Sequence, residues 1–510
     1  MWIFLGTLTY ILFLLVCVLS YAVEYLTQNI EVNSFSQVLY TMRTTMGGAE
    51  NTILQILLGF LFHYAIWIIL VTVLYVYFLK FAKKVKREGF EKAGYSRRRI
   101  VTLNCSVVTA SIVLSGVLCT QTYNGYHALG IGPYLEEQNH VTTIYEDKYV
   151  PADSVNIAFN GKKKNLIYLF CESMETTYAS TEDGGGMENN LIPNLSSFGE
   201  EYNDFSADGA STLNGAKVTN YTSWTIAGIL AQTSATPLGL ARIGFDRDFA
   251  EDSPFMPAVT GLGEILEDYG YHNYFLCGSE ASYGGRANYF RQHGDYTIYD
   301  LLTAREDGWI PENYKEWWGF EDSKLFDFAR TQITEIAKND EPFNFTFLTA
   351  DTHFLNGYKC PDCPDTYDKQ YENVIACSDH RIADFVNWCK QQPWYEDTVI
   401  VIAGDHLSMD AMVAQSIGPG TDRKTVFLVI NGPEYSGTTD RVYTTMDAFP
   451  TTLGAIGASI EGDRLGLGTN LYSATPTLSE EMGFDNFNHE IAFKSDYYDN
   501  VLLDGMKEEG

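Results

Sequence analysis

Positive charge is scarce in this chain of 510 residues: 34 Lys and Arg stand against 65 Asp and Glu, a net charge of −31. Acidity on that scale excludes a nucleic-acid binder and a protein held to anionic headgroups in bulk, since both need surfaces of the opposite sign. Repeats with a period of 20–50 residues are absent, which excludes solenoids and propellers. A second Cys-x-x-Cys partner for Cys360-Pro-Asp-Cys363 is also missing, so a zinc knuckle would have only half its ligands. The first apolar run lacks a basic flank and is long, so it reads as an uncleaved membrane span rather than a signal peptide.

Apolar residues are plentiful, at 45% of the chain with 14% aromatic, but they are unevenly spread. Residues 1–23, 53–79 and 100–120 are almost uncharged, and each meets the requirement of about 20 residues for a helix crossing a bilayer. Between Lys80 and Arg99 stand nine Lys or Arg against two acids, Glu88 and Glu91. This basic stretch joins the second and third spans and should lie in the cytoplasm, so the chain after about residue 121 should lie outside. Residues 24–52 then form an external loop. Residues 121–510 hold 24 basic and 60 acidic residues, so an outer domain acting on a phosphate ester needs local cations, and a metal is the obvious source.

The cysteines divide by context. Cys17, Cys105 and Cys119 fall in the apolar runs, and Cys171 and Cys277 in expected buried strands, where they read as small core residues. Cys360 and Cys363 suit a short-loop disulfide in an oxidising compartment. Cys377 and Cys389 are twelve apart on a helical pattern and point to a disulfide rather than a knuckle.

Beyond residues 121–160, read as a linker, an outer domain is expected over 161–475, followed by an acidic segment over 476–510. Its centre is the run Thr398-Val-Ile-Val-Ile-Ala-Gly404, a strand apolar on both faces, with Asp405-His406 at its end. Asn165 to Cys171 reads as a second central strand with Glu172 at its end. Asn273–Cys277, Phe343–Thr349 and Thr425–Ile430 add further strands, and His353 follows the second of these. Helical patterns lie between them, at Asp322–Lys338 and Val374–Gln391. The fold class is therefore α/β, a mostly parallel sheet with helices on both faces. Ligands of such sheets bind at the carboxyl ends of the strands, and an adjacent carboxylate and imidazole there suit Zn²⁺ or Mn²⁺. The hydroxyl-rich start of Thr219-Asn-Tyr-Thr-Ser-Trp-Thr-Ile-Ala-Gly228 reads as a helix entry, which offers capping and a favourable site for an anion. Trp317 and Trp318 read as packing or the wall of a substrate groove, Glu175 as surface, and Asp379-His380 as a solvated or capping pair.

These strand-end features, with the stretches Asn165-Leu-Ile-Tyr-Leu-Phe-Cys-Glu-Ser173, Tyr221-Thr-Ser-Trp-Thr-Ile-Ala-Gly228, Trp318-Gly-Phe-Glu-Asp322, Asp351-Thr-His-Phe-Leu-Asn-Gly-Tyr358, Ala403-Gly-Asp-His406 and Met446-Asp-Ala-Phe-Pro-Thr-Thr-Leu453, resemble the alkaline phosphatase/sulfatase superfamily. More narrowly, the chain looks like the phosphoglycerol transferases, which include the lipoteichoic acid synthases and the membrane enzymes acting on periplasmic glucans. The resemblance implies a multi-pass protein of the bacterial cell (inner) membrane with its catalytic domain on the extracytoplasmic side. It implies one divalent metal, Mn²⁺ foremost with Zn²⁺ or Mg²⁺ as alternatives, held by Glu172, Thr222, Asp405 and His406. Thr222 would be the nucleophile, by its spacing of fifteen residues before Pro237, with Thr225 the runner-up and Thr219 a further alternative. His353 would contact the phosphate or protonate the leaving alkoxide, and Arg286 and Trp318 would bind substrate. The implied donor is phosphatidylglycerol, and the acceptor a hydroxyl of an envelope glycan or polyglycerophosphate.

Two positions depart from the synthases: Cys277 stands where they carry a histidine and Gly284 where they carry a tryptophan. The Asp-Thr-His-Phe-Leu-Asn-Gly-Tyr and Thr-Ile-Ala-Gly tracts lean toward the glucan-type enzymes. A phosphoethanolamine transferase is the nearest alternative. A sulfatase proper would need the Cys-x-Pro-x-Arg tract, which is missing, and a non-enzymatic receptor or scaffold would not need the ligand set.

Overall fold

A computed structural model of the chain describes residues 2–30, 35–43, 50–89, 96–239, 253–417 and 420–506. Met1, parts of the expected external loop (31–34 and 44–49), Glu91 and Lys92 of the basic stretch and the last four residues of the acidic segment lie outside the described residues. The chain divides into two units, Met1–Val32 with Ala49–Gly132, and Asn33–Gly48 with Pro133–Gly510.

The first unit contains three long helices: α1 (Trp2–Asn29), α3 (Glu50–Glu88) and α4 (Arg97–Ala128), with α2 (Phe35–Arg43) intervening in sequence. All three are long and apolar enough to cross a membrane. Apolar side chains gain nothing by leaving lipid for one another, so such helices associate through close packing and polar pairs. Both devices are present. Tyr10 stacks on Tyr75 with ring centroids 4.4 Å apart, and Tyr75 OH lies 2.8 Å from Thr7 Oγ1. Thr9 Oγ1 meets Ser111 Oγ at 2.7 Å, tying α1 to α4. Gly6 lets α3 approach, because a Cβ there would sit 2.1 Å from the Phe78 ring.

The second unit is built on a seven-stranded sheet. In chain order its members are β2 (Asn165–Cys171), β3 (Gly215–Ala216), β4 (His272–Cys277), β5 (Thr297–Tyr299), β6 (Phe343–Leu348), β7 (Thr398–Gly404) and β8 (Thr425–Ile430), while β1 (Ile157–Phe159) and β9 (Ala458–Ile460) pair separately. The sheet order is β3-β8-β7-β2-β6-β4-β5, with β7, β2, β6, β4 and β5 parallel, β8 antiparallel to β7, and β3 antiparallel to β8. Continuous apolar runs pack on both faces, as a strand covered twice requires. Leu166, Tyr168 and Phe170 enter one core, and Ile167, Leu169 and Cys171 the other.

Residues on either side of the central domain fold against each other. Thr142 N donates to Lys494 O at 2.9 Å, Tyr145 OH to Ile491 O at 2.8 Å, and β1 pairs with β9. The acidic segment contributes helices Leu478–Met482 and Phe484–Ala492, and buries Phe487, Ile491, Leu502 and Leu503. Each such side chain stabilises the fold by roughly 1.5–3 kcal/mol. The sparse pattern of that segment concealed a short run of core anchors. Within this second unit α2 also packs, burying Ser36 and Gln37, with Gln37 Nε2 against Met409 Sδ.

The cysteine pairing differs from expectation. Cys363 is bonded to Cys377, Cys360 and Cys389 are free and buried, and Cys171 and Cys277 are buried core residues. Helix Gln370–Cys389 carries Cys377 toward the Cys360–Cys363 loop, which the spacing along the chain does not reveal.

Candidate active site

The site begins with strand register. Parallel pairing sets Cys171 of β2 opposite Gly404 of β7, so Glu172 and Asp405 leave the sheet side by side. Asp405 N reaches back to Cys171 O at 3.3 Å. Gly404 is required by close approach, since a Cβ there would lie 2.0 Å from Met174 O. Ser173 adopts a left-handed conformation (φ 54°), and its N–H donates to Asp405 Oδ1 at 2.7 Å while its hydroxyl donates to Glu172 Oε1 at 2.8 Å. Thr349 Oγ1 accepts from Glu172 N at 2.9 Å and Thr352 Oγ1 donates to Glu172 O at 2.5 Å, which ties in the end of β6.

Glu172, Asp405 and His406 converge, with one ligand atom of each within 4.8 Å of the others. His406 Nε2 is 3.4 Å from Glu172 Oε1 and 3.4 Å from Asp405 Oδ2. Its Nδ1 lies 2.8 Å from Leu407 O, a pure acceptor, so Nδ1 donates there and Nε2 is the nitrogen that faces the carboxylates. Among the described residues, Asp405 Oδ2 is buried without a hydrogen-bond partner. Burial and then the Glu172 charge push the Asp405 carboxyl up to about 7. Glu172 is pushed up by burial but pulled further down by His406 and His353, so it sits below the usual carboxylate range. For His406, burial lowers and the two carboxylates raise, with a net rise. Two carboxylates and an imidazole converging on one point fit a divalent cation.

The threonine at this cluster is Thr225. Its Oγ1 lies 3.4 Å from both Glu172 Oε2 and His406 Nε2. Thr222, expected as nucleophile and fourth ligand, is instead fully buried in a turn, where its Oγ1 accepts from Thr219 N and donates to Thr219 O, both at 3.0 Å. Helix phase explains the difference. Helix Thr225–Ser234 lies against the end of β7, where Gln232 Nε2 donates to Gly404 O at 2.9 Å and a Cβ on Gly228 would meet Asp405 O at 2.0 Å. Residues 225, 228 and 232 share one helical stripe, so Thr225 opens the helix on the face that touches Asp405, and Thr222 precedes the helix altogether. At the first helical position its oxygen also sits among free N–H groups.

His353 lies beyond the end of β6. Its Nδ1 is 2.6 Å from Phe354 O, which leaves Nε2 as the acceptor nitrogen of the neutral ring. Burial lowers its pKa, Glu172 raises it, and Arg286 lowers it further, so the net direction is down and the ring is neutral near pH 7. Arg286 is buried, with Nη2 donating to Ser279 Oγ at 2.9 Å and Glu280 O at 3.0 Å, and Nε to Tyr283 O at 3.0 Å. From Arg286 an aromatic series runs outward. The guanidinium lies 5.6 Å from the Tyr283 ring, Tyr283 5.4 Å from Trp318, and Trp318 4.8 Å from His353. Trp317 then stacks 6.2 Å from Tyr358. Trp317, Trp318, His353 and Tyr358 are all half-buried, so ring area remains accessible.

Several residues that position the site escaped the sequence reading. Glu175, expected at the surface, is fully buried, accepts from Arg423 at 2.9 and 2.6 Å, and receives Ser408 N at 2.7 Å, two residues after His406. Asp322 and Asp351 clasp the loops bearing Trp318 and His353: Asp322 accepts from Ala350 N and Asp351 N, and Asp351 accepts from Asp322 N. Asp379 caps helix Pro193–Glu201 through Asn194 N and Leu195 N, in line with a capping role. A carboxylate just inside a predicted strand end was the only available signal for Glu175.

Fold and site together define a class. Residues 164–458 match the Sulfatase family, and the chain belongs to it. The chain is similar to phosphoglycerol transferase I of Salmonella choleraesuis (strain SC-B67), at 32% identity over 329 residues covering 62% of this chain and 40% of that one. The protein of the same name from Escherichia coli O6:K15:H31 (strain 536 / UPEC) is 33% identical over 319 residues, covering 61% and 39%. The chain thus spans about two fifths of the length of these relatives. Among solved structures, lipooligosaccharide phosphoethanolamine transferase A from Neisseria meningitidis aligns at 16% identity and TM-score 0.48, covering 88% of this chain and 84% of that one. The lipoteichoic acid synthase LtaP from Listeria monocytogenes aligns at 18% identity and TM-score 0.46, covering 63% and 80%. The superfamily uses a divalent metal, which the cluster described above suits. With three membrane-length helices, the chain is a membrane protein.

Proposed function

We propose that the chain is a membrane-anchored phosphoglycerol transferase that moves a glycerophosphoryl group from phosphatidylglycerol to a hydroxyl of an envelope glycan or polyglycerophosphate. The observation that carries this reading is Thr225 Oγ1, a hydroxyl at a helix start and 3.4 Å from both Glu172 and His406. The similarity to proteins named phosphoglycerol transferase I supports the choice of headgroup.

A divalent ion, Mn²⁺ in this proposal, held by Glu172, Asp405 and His406 with Thr225 Oγ1 beside it, would lower the hydroxyl's pKa and offset charge on the phosphoryl oxygens. Thr225 Oγ1, its proton passing to His353 Nε2, attacks the headgroup phosphorus; the bond to the diacylglycerol oxygen breaks, the departing alkoxide takes that proton from His353, and the glycerophosphoryl group remains on Thr225. The free N–H groups of the helix start and the buried Arg286 charge favour the anionic group in this position. In the second step His353 Nε2 takes the proton of the acceptor hydroxyl, whose oxygen attacks phosphorus and releases Thr225. His353, now protonated, returns that proton to the departing Thr225 oxygen.

The half-buried wall of Tyr283, Trp318, Trp317 and Tyr358 beside His353 supports a sugar-rich acceptor, because flat aromatic faces match the C–H faces of sugar rings. The basic stretch Lys80–Arg99 between two spans supports a multi-pass arrangement with the domain on the extracytoplasmic side.

The test is intact mass of the full-length protein in detergent after incubation with phosphatidylglycerol and Mn²⁺. A gain of one glycerophosphoryl group, retained in Thr222→Ala and lost in Thr225→Ala, is expected. An adduct from phosphatidylethanolamine alone would overturn the headgroup assignment, and an adduct persisting in Thr225→Ala would overturn the nucleophile.

A further inference from the structure

Just beyond the His353 loop three sulfurs meet. Cys360 and Cys363 bracket a turn closed by Cys363 N donating to Cys360 O at 3.1 Å. Cys363 is bonded to Cys377 of helix Gln370–Cys389, and the free Cys360 Sγ lies 3.1 Å from Cys363 Sγ. All three are buried, at 0%, 6% and 7% exposure, so Cys360 is sequestered with the disulfide. One helical turn beyond Cys377, Arg381 Nη2 lies 2.7 Å from Cys360 Sγ.

Such a trio can bind a metal or exchange a disulfide, and Arg381 decides between them. A guanidinium against Cys360 sets positive charge where a metal cation would have to bind, and it takes up the sulfur lone pair that would ligate one. Cys360 Sγ, 3.1 Å from Cys363 Sγ, is instead placed beside a disulfide sulfur that its thiolate can attack.

We propose that Cys360, Cys363 and Cys377 form an internal thiol–disulfide exchange site. Cys360 gives up its proton and its thiolate attacks Cys363 Sγ. A Cys360–Cys363 bond forms, the Cys363–Cys377 bond breaks, and the electron pair leaves on Cys377 Sγ, which takes up a proton. One disulfide and one thiol exist before and after, so no oxidant or reductant is consumed. The two pairings differ mechanically. Cys363–Cys377 ties the loop after His353 to helix Gln370–Cys389, whereas Cys360–Cys363 closes the loop on itself and releases the helix. Tyr358, at the outer end of the aromatic wall, packs on the sulfur cluster and is bonded through its N–H to Asp351 O at 2.7 Å. Exchange therefore acts on the outer rim of the candidate active site, although the inference stands on the sulfur geometry whether or not the chain transfers phosphoglycerol.

The test is non-reducing peptide mapping of the full-length protein, acid-quenched and alkylated. Wild type is expected to yield both the Cys363–Cys377 and the Cys360–Cys363 linked peptides, the latter lost in Cys360→Ser. Cys377→Ser is expected to keep one disulfide, now Cys360–Cys363. Because Cys377→Ser could fail to fold, Cys360→Ser, which leaves the observed bond in place, carries the comparison. Wild type with Cys363–Cys377 as its sole linkage and Cys360 fully alkylated, before and after incubation at alkaline pH, would overturn the proposal. So would zinc retained by three reduced thiols.

Discussion

The two sides of the candidate active site are held in different ways. The side made by the ends of β2 and β7 is fixed through backbone: register sets Glu172 beside Asp405, Ser173 N and His406 N both donate to Asp405 Oδ1, and every cluster residue is buried. The side made by the loops around Trp317 and His353 is half-buried and carries left-handed backbone at Trp317 (φ 55°) and Asn356 (φ 61°). A bulky residue in that conformation is strained by about 1–3 kcal/mol and persists only where its surroundings impose it. The contrast fits the proposed division of labour, with a buried floor for phosphoryl chemistry and a more accessible wall for a larger partner.

If the floor does the chemistry, Thr225→Ala should lower turnover by on the order of 10³-fold or more while Thr222→Ala stays within a few-fold, as read by headgroup transfer from labelled lipid. Equal losses from the two changes would erase the distinction between them. Glu175→Gln sharpens the same side. It removes the carboxylate charge that receives the two Arg423 hydrogen bonds, so a stability loss of about 1.5–3 kcal/mol is expected by denaturant unfolding. Metal affinity should also fall about 10- to 100-fold by competition with a chelator, because Glu175 holds the main chain just after His406.

On the wall, Trp317→Ala should raise the acceptor KM several-fold and leave formation of the Thr225 adduct unchanged. An equal fall in both would mean that the two sides do not act separately. The smallest effect concerns the clasp beneath the wall. Burial and then Asp322 push the Asp351 carboxyl up to about 9, and burial pushes Asp322 up to about 6. Both values lie above those of the unfolded chain, so the pair's contribution is full in acid and is lost progressively as pH rises from about 4 to about 9. Thermal midpoints should fall across that window, and Asp351→Asn should flatten the decline. A wild-type midpoint that rises over the same range would refute the shared-proton clasp.

Much of the floor could be read from residues alone. Thr398–Gly404 and Asn165–Cys171 are apolar on both faces, and polar residues directly after such strands can only emerge at the sheet's edge, where Glu172, Asp405 and His406 stand. Which threonine meets the cluster was harder to read, because spacing from Pro237 ignores helix phase, whereas Gly228 and Gln232 mark the face of the helix that touches β7. Glu175 was misread because its partner Arg423 is distant in sequence, and the Cys363–Cys377 bond because a helix must first bring Cys377 to the loop. The acidic segment's role in the core rests on a few anchors, among them Phe487 and Ile491, too sparse to register as a periodic pattern.

The contact between Gly228 and the Asp405 carbonyl has a consequence for how the site tolerates change. Main chain touches main chain there, so the spacing between the helix that begins at Thr225 and the end of β7 is a skeletal dimension. Residues around the groove can vary to suit a new acceptor without disturbing that dimension. A single added methyl group at position 228 would act as a wedge, lifting the helix and moving Thr225 out of reach with every reactive group still present.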